Sequence, residues 1–202
     1  MPHTGEPRWL TRREAAALLR AAKNERRTRF HLPLFIMLGI YTGCRQEAIL
    51  SLQWEKNLEG GWVDLSTNMI HWNPPGAPLS KKRRPPKPTR IPRKLRLFLR
   101  YARRRTSRYV IEIDGRRVSS VKKGMAAAAQ WAGIQRPSPD NVHPHTTRHT
   151  CITWLLQAGE PRWNVAGYCG ISLEMLEQVY GHHDNEAAAV GIDRAFGRAM
   201  IR

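Results

Sequence analysis

Apolar positions in the first part of the chain recur at helical spacing. Thr11 stands as an N-cap with Glu14 three residues on, the pair that forms a capping box, and Ala15-Ala16-Ala17-Leu18-Leu19-Arg20 continues the helix. A second, strongly apolar helix is predicted from Leu32 to Tyr41, where Thr42-Gly43 interrupts it, and a short amphipathic one over Glu47 to Leu52. The pattern then changes. Gly60-Gly61 precedes Trp62-Val63-Asp64-Leu65, Met69-Ile70-His71-Trp72 follows a short turn, and Thr89-Arg90-Ile91-Pro92 reads as a third strand. Together these runs predict a small antiparallel sheet. Residues Asn73 to Pro88 are rich in Pro and Lys/Arg and read as an exposed hairpin tip. Helical spacing returns over Leu95 to Arg105 and over Ser119 to Trp131, around Ala126-Ala127-Ala128-Ala129. It continues over Thr147 to Ala158, closed by Gly159, over Leu173 to Tyr180, and over Glu186 to Met200 after a polar break at Asn185. No internal repeat interrupts this order. The expectation is a mainly α chain with a small antiparallel β-sheet, an α+β fold forming one domain over residues 1–202, long enough to bury a core without staples.

Charge adds a partner to this picture. Lys plus Arg total 34 against 16 Asp plus Glu, a formal net charge of +18. Such an excess opposes compaction, so a polyanionic partner is expected, nucleic acid first and an anionic membrane surface second. No apolar run reaches the 18 or so residues of a spanning helix. Met1-Pro2-His3-Thr4-Gly5-Glu6 also lacks the charged-then-apolar order of a signal peptide. The charge is concentrated: Leu65 to Ile111 holds no acidic residue, while 14 Lys/Arg fall between Lys81 and Arg108. A charge run is commonly a solvated face. One sign persisting through a hairpin and into a helix favours a nucleic-acid contact, with Arg83, Arg84, Lys87 and Arg90 as candidates. Cys44, Cys151 and Cys169 are odd in number and widely spaced, without a CxxC pair. They read as buried thiols in a reducing compartment, with neither a metal site nor a disulfide framework.

Candidate chemistry sits at three places. Arg45 follows Thr42-Gly43-Cys44 at a break between helices, and a charge interrupting an apolar stretch is paired or functional. Pairing with Glu47 is the structural alternative. Arg148 lies in His145-Thr146-Thr147-Arg148-His149 at a helix start, a place suited to phosphate. Tyr180 lies in Gln178-Val179-Tyr180-Gly181-His182-His183. A lone tyrosine at a helix end ordinarily packs half-buried, and the two histidines lack a third ligand at metal spacing. On their own the residues describe a basic, helical nucleic-acid-binding chain with candidate phosphate-binding arginines, and they name no reaction.

At these same places the chain resembles the tyrosine recombinase family of the phage-integrase type. Tyr41-Thr42-Gly43-Cys44-Arg45-Gln46-Glu47 through Leu52-Gln53-Trp54 resembles the family's first arginine box, Thr-Gly-x-Arg with a Glu two residues on and a Leu-x-Trp close. His145-Thr146-Thr147-Arg148-His149 matches the second, His-x-x-Arg-His. Gly170-Ile171-Ser172 through Tyr180 resembles the third, where a Gly-His pair precedes the nucleophilic tyrosine by nine residues; Ile171 to Tyr180 has that spacing. Each motif is weak alone, but three in order with a basic hairpin between the first two are strong. The resemblance covers essentially the whole chain and implies the family's catalytic-domain fold.

It also implies DNA strand cleavage and rejoining through a covalent 3′-phosphotyrosyl intermediate, as in integration or excision of a phage or mobile element. Arg45 and Arg148 would clamp the scissile phosphate, Tyr180 would attack it, and His145 would assist proton transfer or hold the phosphate. Lys81, at the hairpin entry Ser80-Lys81-Lys82, would protonate the leaving 5′ oxygen, with Lys82 next and Lys87 third. No metal and no other cofactor is implied. The implied partners are double-stranded DNA and further copies of the chain, a tetramer on DNA, with no membrane. The implied setting is the cytoplasm of a bacterial host or phage-infected cell, at the nucleoid. The family's N-terminal core-binding domain has no counterpart here. Ile171 departs from the pattern, because it stands at the family's second histidine and cannot donate a hydrogen bond; His182 is the candidate substitute. That departure supports the main alternative, a catalytically weakened relative acting as a DNA-binding protein. A type IB topoisomerase-like nicking enzyme and an RNA-binding structural protein are more distant readings.

Overall fold

The computed structural model describes residues 7–76 and 87–181. The chain opens with α1 (Arg12–Asn24), α2 (His31–Thr42) and α3 (Gln46–Leu50). A three-stranded antiparallel sheet follows, β1 (Trp62–Asp64), β2 (Met69–His71) and β3 (Thr89–Arg90), in that spatial order. Then come α4 (Arg93–Arg103), the hairpin β4 (Glu112–Ile113) and β5 (Arg116–Arg117), and four helices: α5 (Lys122–Trp131), α6 (Pro144–Gln157), α7 (Arg162–Cys169) and α8 (Leu173–Tyr180). The expected α+β class and the expected sheet are both present.

Local chemistry accounts for most boundaries. Thr11 and Glu14 exchange both bonds of a capping box at the start of α1. The helix α2 ends at Gly43 in the left-handed region, φ 65°. In α4 the buried Leu95, Leu99 and Ala102 share one face, and Arg93, Lys94, Arg100 and Arg103 are exposed. Across β1 and β2, Trp62 stacks on His71 with ring centroids 4.2 Å apart, and Trp72 Nε1 donates to Thr89 Oγ1 at 2.8 Å, tying in β3.

Two elements depart from the sequence expectation. Residues 162–169 form α7, which the periodicity did not predict, and Glu112 to Arg117 form a hairpin turning at Asp114-Gly115, both with positive φ. The expected helix over Glu186 to Met200, residues 77–86 of the hairpin tip with Lys81, Lys82, Arg83 and Arg84, and His182 lie outside the described residues.

The core is in two parts. The larger joins α1–α5 and the sheet around Leu18, Phe35, Leu38, Ile49, Ile70 and Leu95. The smaller lies among α6, α7 and α8, around Ile152, Leu156, Val165, Leu176 and Tyr180. A strap joins them: Leu10 N donates to Thr150 Oγ1 at 2.9 Å, and Trp154 Nε1 donates to Leu10 O at 2.9 Å. A cavity of about 570 Å³ opens between the start of α2 and α4, lined by Phe30, Leu34, Phe98 and Tyr101. It includes none of the candidate residues. Among the described residues no helix is long and apolar enough to cross a membrane.

Candidate active site

The site is assembled where α6 crosses α2. The crossing is close: a Cβ added at Gly39 would lie 2.7 Å from Thr147 Cβ, so only glycine lets the backbones approach this far. One turn later Gly43 ends α2, and a Cβ there would lie 2.7 Å from Cys169 Sγ and 3.2 Å from Cys151 Sγ. The space is therefore shared by α2, α6 and α7, and into it projects Arg148.

Arg148 is 4% exposed. Its Nη1 donates to Gly43 O and to Cys169 O, both at 2.6 Å, joining segments 105 and 21 residues away along the chain. Those bonds satisfy two carbonyls at helix ends and fix the plane of the guanidinium. They engage one of its three nitrogens. Arg45 lies two residues beyond Gly43 at the N-cap of α3, and it is exposed. Glu47, offered by the sequence as its partner, is engaged by Arg117 on β5.

The first turn of α6 carries the histidines. The helix starts at Pro144, three residues before the sequence expectation. His143 is its cap: its ring Nδ1 accepts from His145 N at 3.2 Å, and its backbone N–H donates to Thr146 Oγ1 at 3.1 Å. Proline at the first helical position costs no hydrogen bond there. His145 and His149, four residues apart, share one face with ring centroids 4.8 Å apart, edge to face. His149 Nδ1 forms a short hydrogen bond with the hydroxyl of Tyr180 on α8, and the ring centroids are 5.9 Å apart.

Tyr180 ends α8. Ser172 caps that helix by accepting from Met175 N at 3.2 Å, and Leu176 and Tyr180 are its buried pair at i, i+4. At 2% exposure Tyr180 is buried in the core among α6, α7 and α8. Tyr168, the other tyrosine of this region, donates to Tyr41 O at 2.7 Å and serves as a tie between α7 and α2. Ile171 follows the left-handed Gly170 and packs against the α6–α8 core. Lys87 and Arg90 are exposed at the entry to and within β3.

The electrostatics follow from burial inside a cationic chain. Burial, then the positive charge of Arg148, with smaller contributions from His143 and Arg45, lowers His145 to about 4 although part of its ring reaches solvent. Burial, then His145, His143 and Arg148, lowers His149 to about 3. Burial raises Tyr180 well above the ordinary phenol value, partly offset by Arg148. Near neutral pH both partners of this bond are therefore neutral; with the ring proton on Nε2, Nδ1 is free to accept from the phenol. All three cysteines are buried free thiols, with burial pushing Cys44 up to about 12. Among the described residues no group of three or more His, Cys, Asp or Glu side chains is placed to hold a metal.

Arg45, His145, Arg148, Ile171 and Tyr180 thus lie on neighbouring segments of one region, brought together from three parts of the chain. His149, which touches Tyr180, was not singled out from the sequence beyond its place in the second box.

Solved structures share this arrangement of elements. The chain is similar to XerA recombinase over 97% of its own length and 67% of that chain, at 21% identity and a TM-score of 0.68. It is similar to the catalytic domain of bacteriophage HP1 integrase over 95% of both chains, at 18% identity and a TM-score of 0.64. The fold is that of the tyrosine recombinase catalytic domain. The Tn1549 transposon integrase, solved with transposon right-end DNA, has the same recombinase fold, with 15% identity, a TM-score of 0.73 and coverage of 96% of this chain and 68% of that one. No family model and no curated protein matches the chain.

Proposed function

We propose that the protein is a site-specific DNA strand transferase, a tyrosine recombinase that cleaves and rejoins DNA through a 3′-phosphotyrosyl intermediate on Tyr180. The observation that carries this reading is the tie between Arg148 and the carbonyls of Gly43 and Cys169, which draws the three motif segments into one cluster beside Tyr180. The recombinase fold supports it, as do the DNA-bound structures of its neighbours.

In this reaction Arg45 and Arg148 hold the non-bridging oxygens of the scissile phosphate, where charge accumulates in the transition state. Guanidinium forks suit this because they are planar and permanently charged. His145, on the exposed side of α6, helps hold the phosphate. Lys81 protonates the departing 5′ oxygen, with Lys82 and Lys87 as the next candidates, and His182 supplies the donor that Ile171 cannot. The bond energy kept in the phosphotyrosine lets a 5′ hydroxyl reverse the step, so the reaction needs no energy-rich cofactor. The substrate is double-stranded DNA, bound by a tetramer, with Arg83, Arg84, Lys87 and Arg90 on the backbone phosphates.

The apolar Ile171 and the buried Tyr180 favour a second reading, a DNA-binding relative that has lost turnover. Covalent trapping decides between them. Duplexes selected for binding from a random pool are nicked near the bound site, so that cleavage releases a short fragment and cannot be reversed. A protein–DNA band on denaturing electrophoresis, absent for Tyr180→Phe, is the expected result. Tight binding without a covalent band for the wild type supports the second reading.

A further inference from the structure

We propose that His149, rather than His145, takes the proton of Tyr180 as the tyrosine attacks phosphorus. The inference rests on the strand-transfer reading above and assigns a step within it. Three observations carry it. The hydroxyl of Tyr180 is hydrogen-bonded to Nδ1 of His149. His145 meets the edge of the His149 ring, and its backbone is engaged by the cap at His143. Both partners of the bond stand on helices packed in the α6–α8 core, so the pair is held by structure rather than by chance rotamers.

The step balances as follows. The Oη–H bond of Tyr180 breaks and its proton goes to Nδ1 of His149, giving an imidazolium. The Oη–P bond forms, the P–O5′ bond breaks, and the departing oxygen takes a proton from the lysine assigned to that side. On rejoining, the 5′ hydroxyl returns its proton to that lysine as its oxygen attacks phosphorus, the P–O5′ bond forms, the Oη–P bond breaks, and the imidazolium returns its proton to Oη. Without DNA the proton stays on Tyr180, because burial first, and then the neighbouring His145, His143 and Arg148, oppose a charge on His149. A phosphodiester held between Arg45 and Arg148 brings a negative charge that opposes this effect and raises the basicity of His149. The nucleophile is then activated by the substrate it is to attack.

Two variants test the assignment. In His149→Asn the side-chain oxygen occupies roughly the place of Nδ1, so it can accept the Tyr180 bond but cannot carry the proton; His149→Ala removes both abilities. The full chain is assayed for single-turnover adduct formation on the trapping substrate, alongside melting temperature and DNA affinity. Loss of a general base predicts that His149→Asn melts and binds like the wild type but forms the adduct about 10² to 10⁴ times more slowly. Its rate should also climb with pH between about 7 and 9, where hydroxide replaces the missing base. His149→Asn forming adduct at the wild-type rate overturns the proposal, as does His145→Asn showing the larger loss. A purely positioning role predicts near-wild-type adduct formation by His149→Asn with loss only in His149→Ala, and that result contradicts proton acceptance. Absence of any adduct from the wild type overturns the strand-transfer reading itself, a different outcome from a normal wild type with an unaffected His149→Asn. Independently of activity, ¹⁵N NMR of the DNA-free protein should find His149 neutral with its proton on Nε2 at pH 6; a proton on Nδ1 contradicts the bond from which the proposal starts.

Discussion

Two arginines of one site are built in opposite ways. Arg148 is buried and ties two carbonyls, whereas Arg45 stands exposed at the cap of a short helix. Arg148→Ala leaves Gly43 O and Cys169 O without that donor, and each unsatisfied buried carbonyl costs about 1–3 kcal/mol. A clear drop in melting temperature should accompany the loss of cleavage. Arg45→Ala should leave a folded protein that cleaves about 10²–10³ times more slowly. Melting curves and single-turnover cleavage on the same two proteins check both. Arg45→Ala cleaving at the wild-type rate removes Arg45 from the chemistry. The histidines give a pH prediction. His145 and His149 are lowered to about 4 and about 3 from 6.5, so the unfolded chain binds more protons between those values. Stability must therefore fall as pH drops below about 6.5 and is regained on returning above it. His149→Asn should flatten part of that slope in melting temperatures measured from pH 7 to 4.

At the scale of elements, the α2–α6 crossing sets the site. Gly39→Ala places a methyl against Thr147 and should cost about 1–3 kcal/mol by overpacking. It should slow cleavage as well, because Arg148 lies one residue beyond the contact; unchanged stability and cleavage would show that the helices can part without disturbing Arg148. Of the helices with a one-sided apolar stripe, α4 was legible in the sequence to within two residues, and α1 at its capped start, although the reading followed it only to Arg20 and it runs to Asn24. The helix that carries Arg148 and its flanking histidines was legible only in part. The buried residues of α6 include Thr146, Thr147, Arg148, Thr150 and Thr153, so polarity does not mark its inward face. Its true start was concealed by an unusual histidine cap, although Pro144 was a visible sign. The helix α7 buries Val165, Ala166 and Cys169 but exposes Trp163 and contains Gly167, which leaves no stripe to read. The turn Asp114-Gly115 was a readable hairpin signal. That the segments of Arg45, His145, Arg148 and Tyr180 lie together was legible through motif order, whereas the bond from His149 to Tyr180 depends on how α8 packs on α6, which no local pattern encodes.

For the whole molecule, the net charge of +18 is not uniformly available to DNA. Arg108 of the acid-free stretch pairs with Glu59 at 2.6 Å, and Arg105 lies over the rings of Tyr101 and Phe30. Arg93, Lys94, Arg100, Lys87 and Arg90 are exposed. DNA affinity should fall steeply with salt, and each phosphate contact removed should reduce the log–log slope by about 0.9. Arg83→Ala with Arg84→Ala should reduce it by nearly twice that amount and weaken binding to all sequences alike, while Arg108→Ala should leave it unchanged. Equal slopes for the double variant and the wild type would make the hairpin charge a solvated face. The account as a whole depends on one chemical event at Tyr180, and the most direct measurement locates it. The covalent protein–DNA product is digested with protease and nuclease, and the nucleotide-bearing peptide is sequenced by tandem mass spectrometry. The account predicts a single modified residue, Tyr180, linked to a 3′-phosphate; a nucleotide on Tyr168, Tyr41 or any other residue, or one linked through a 5′-phosphate, would contradict it.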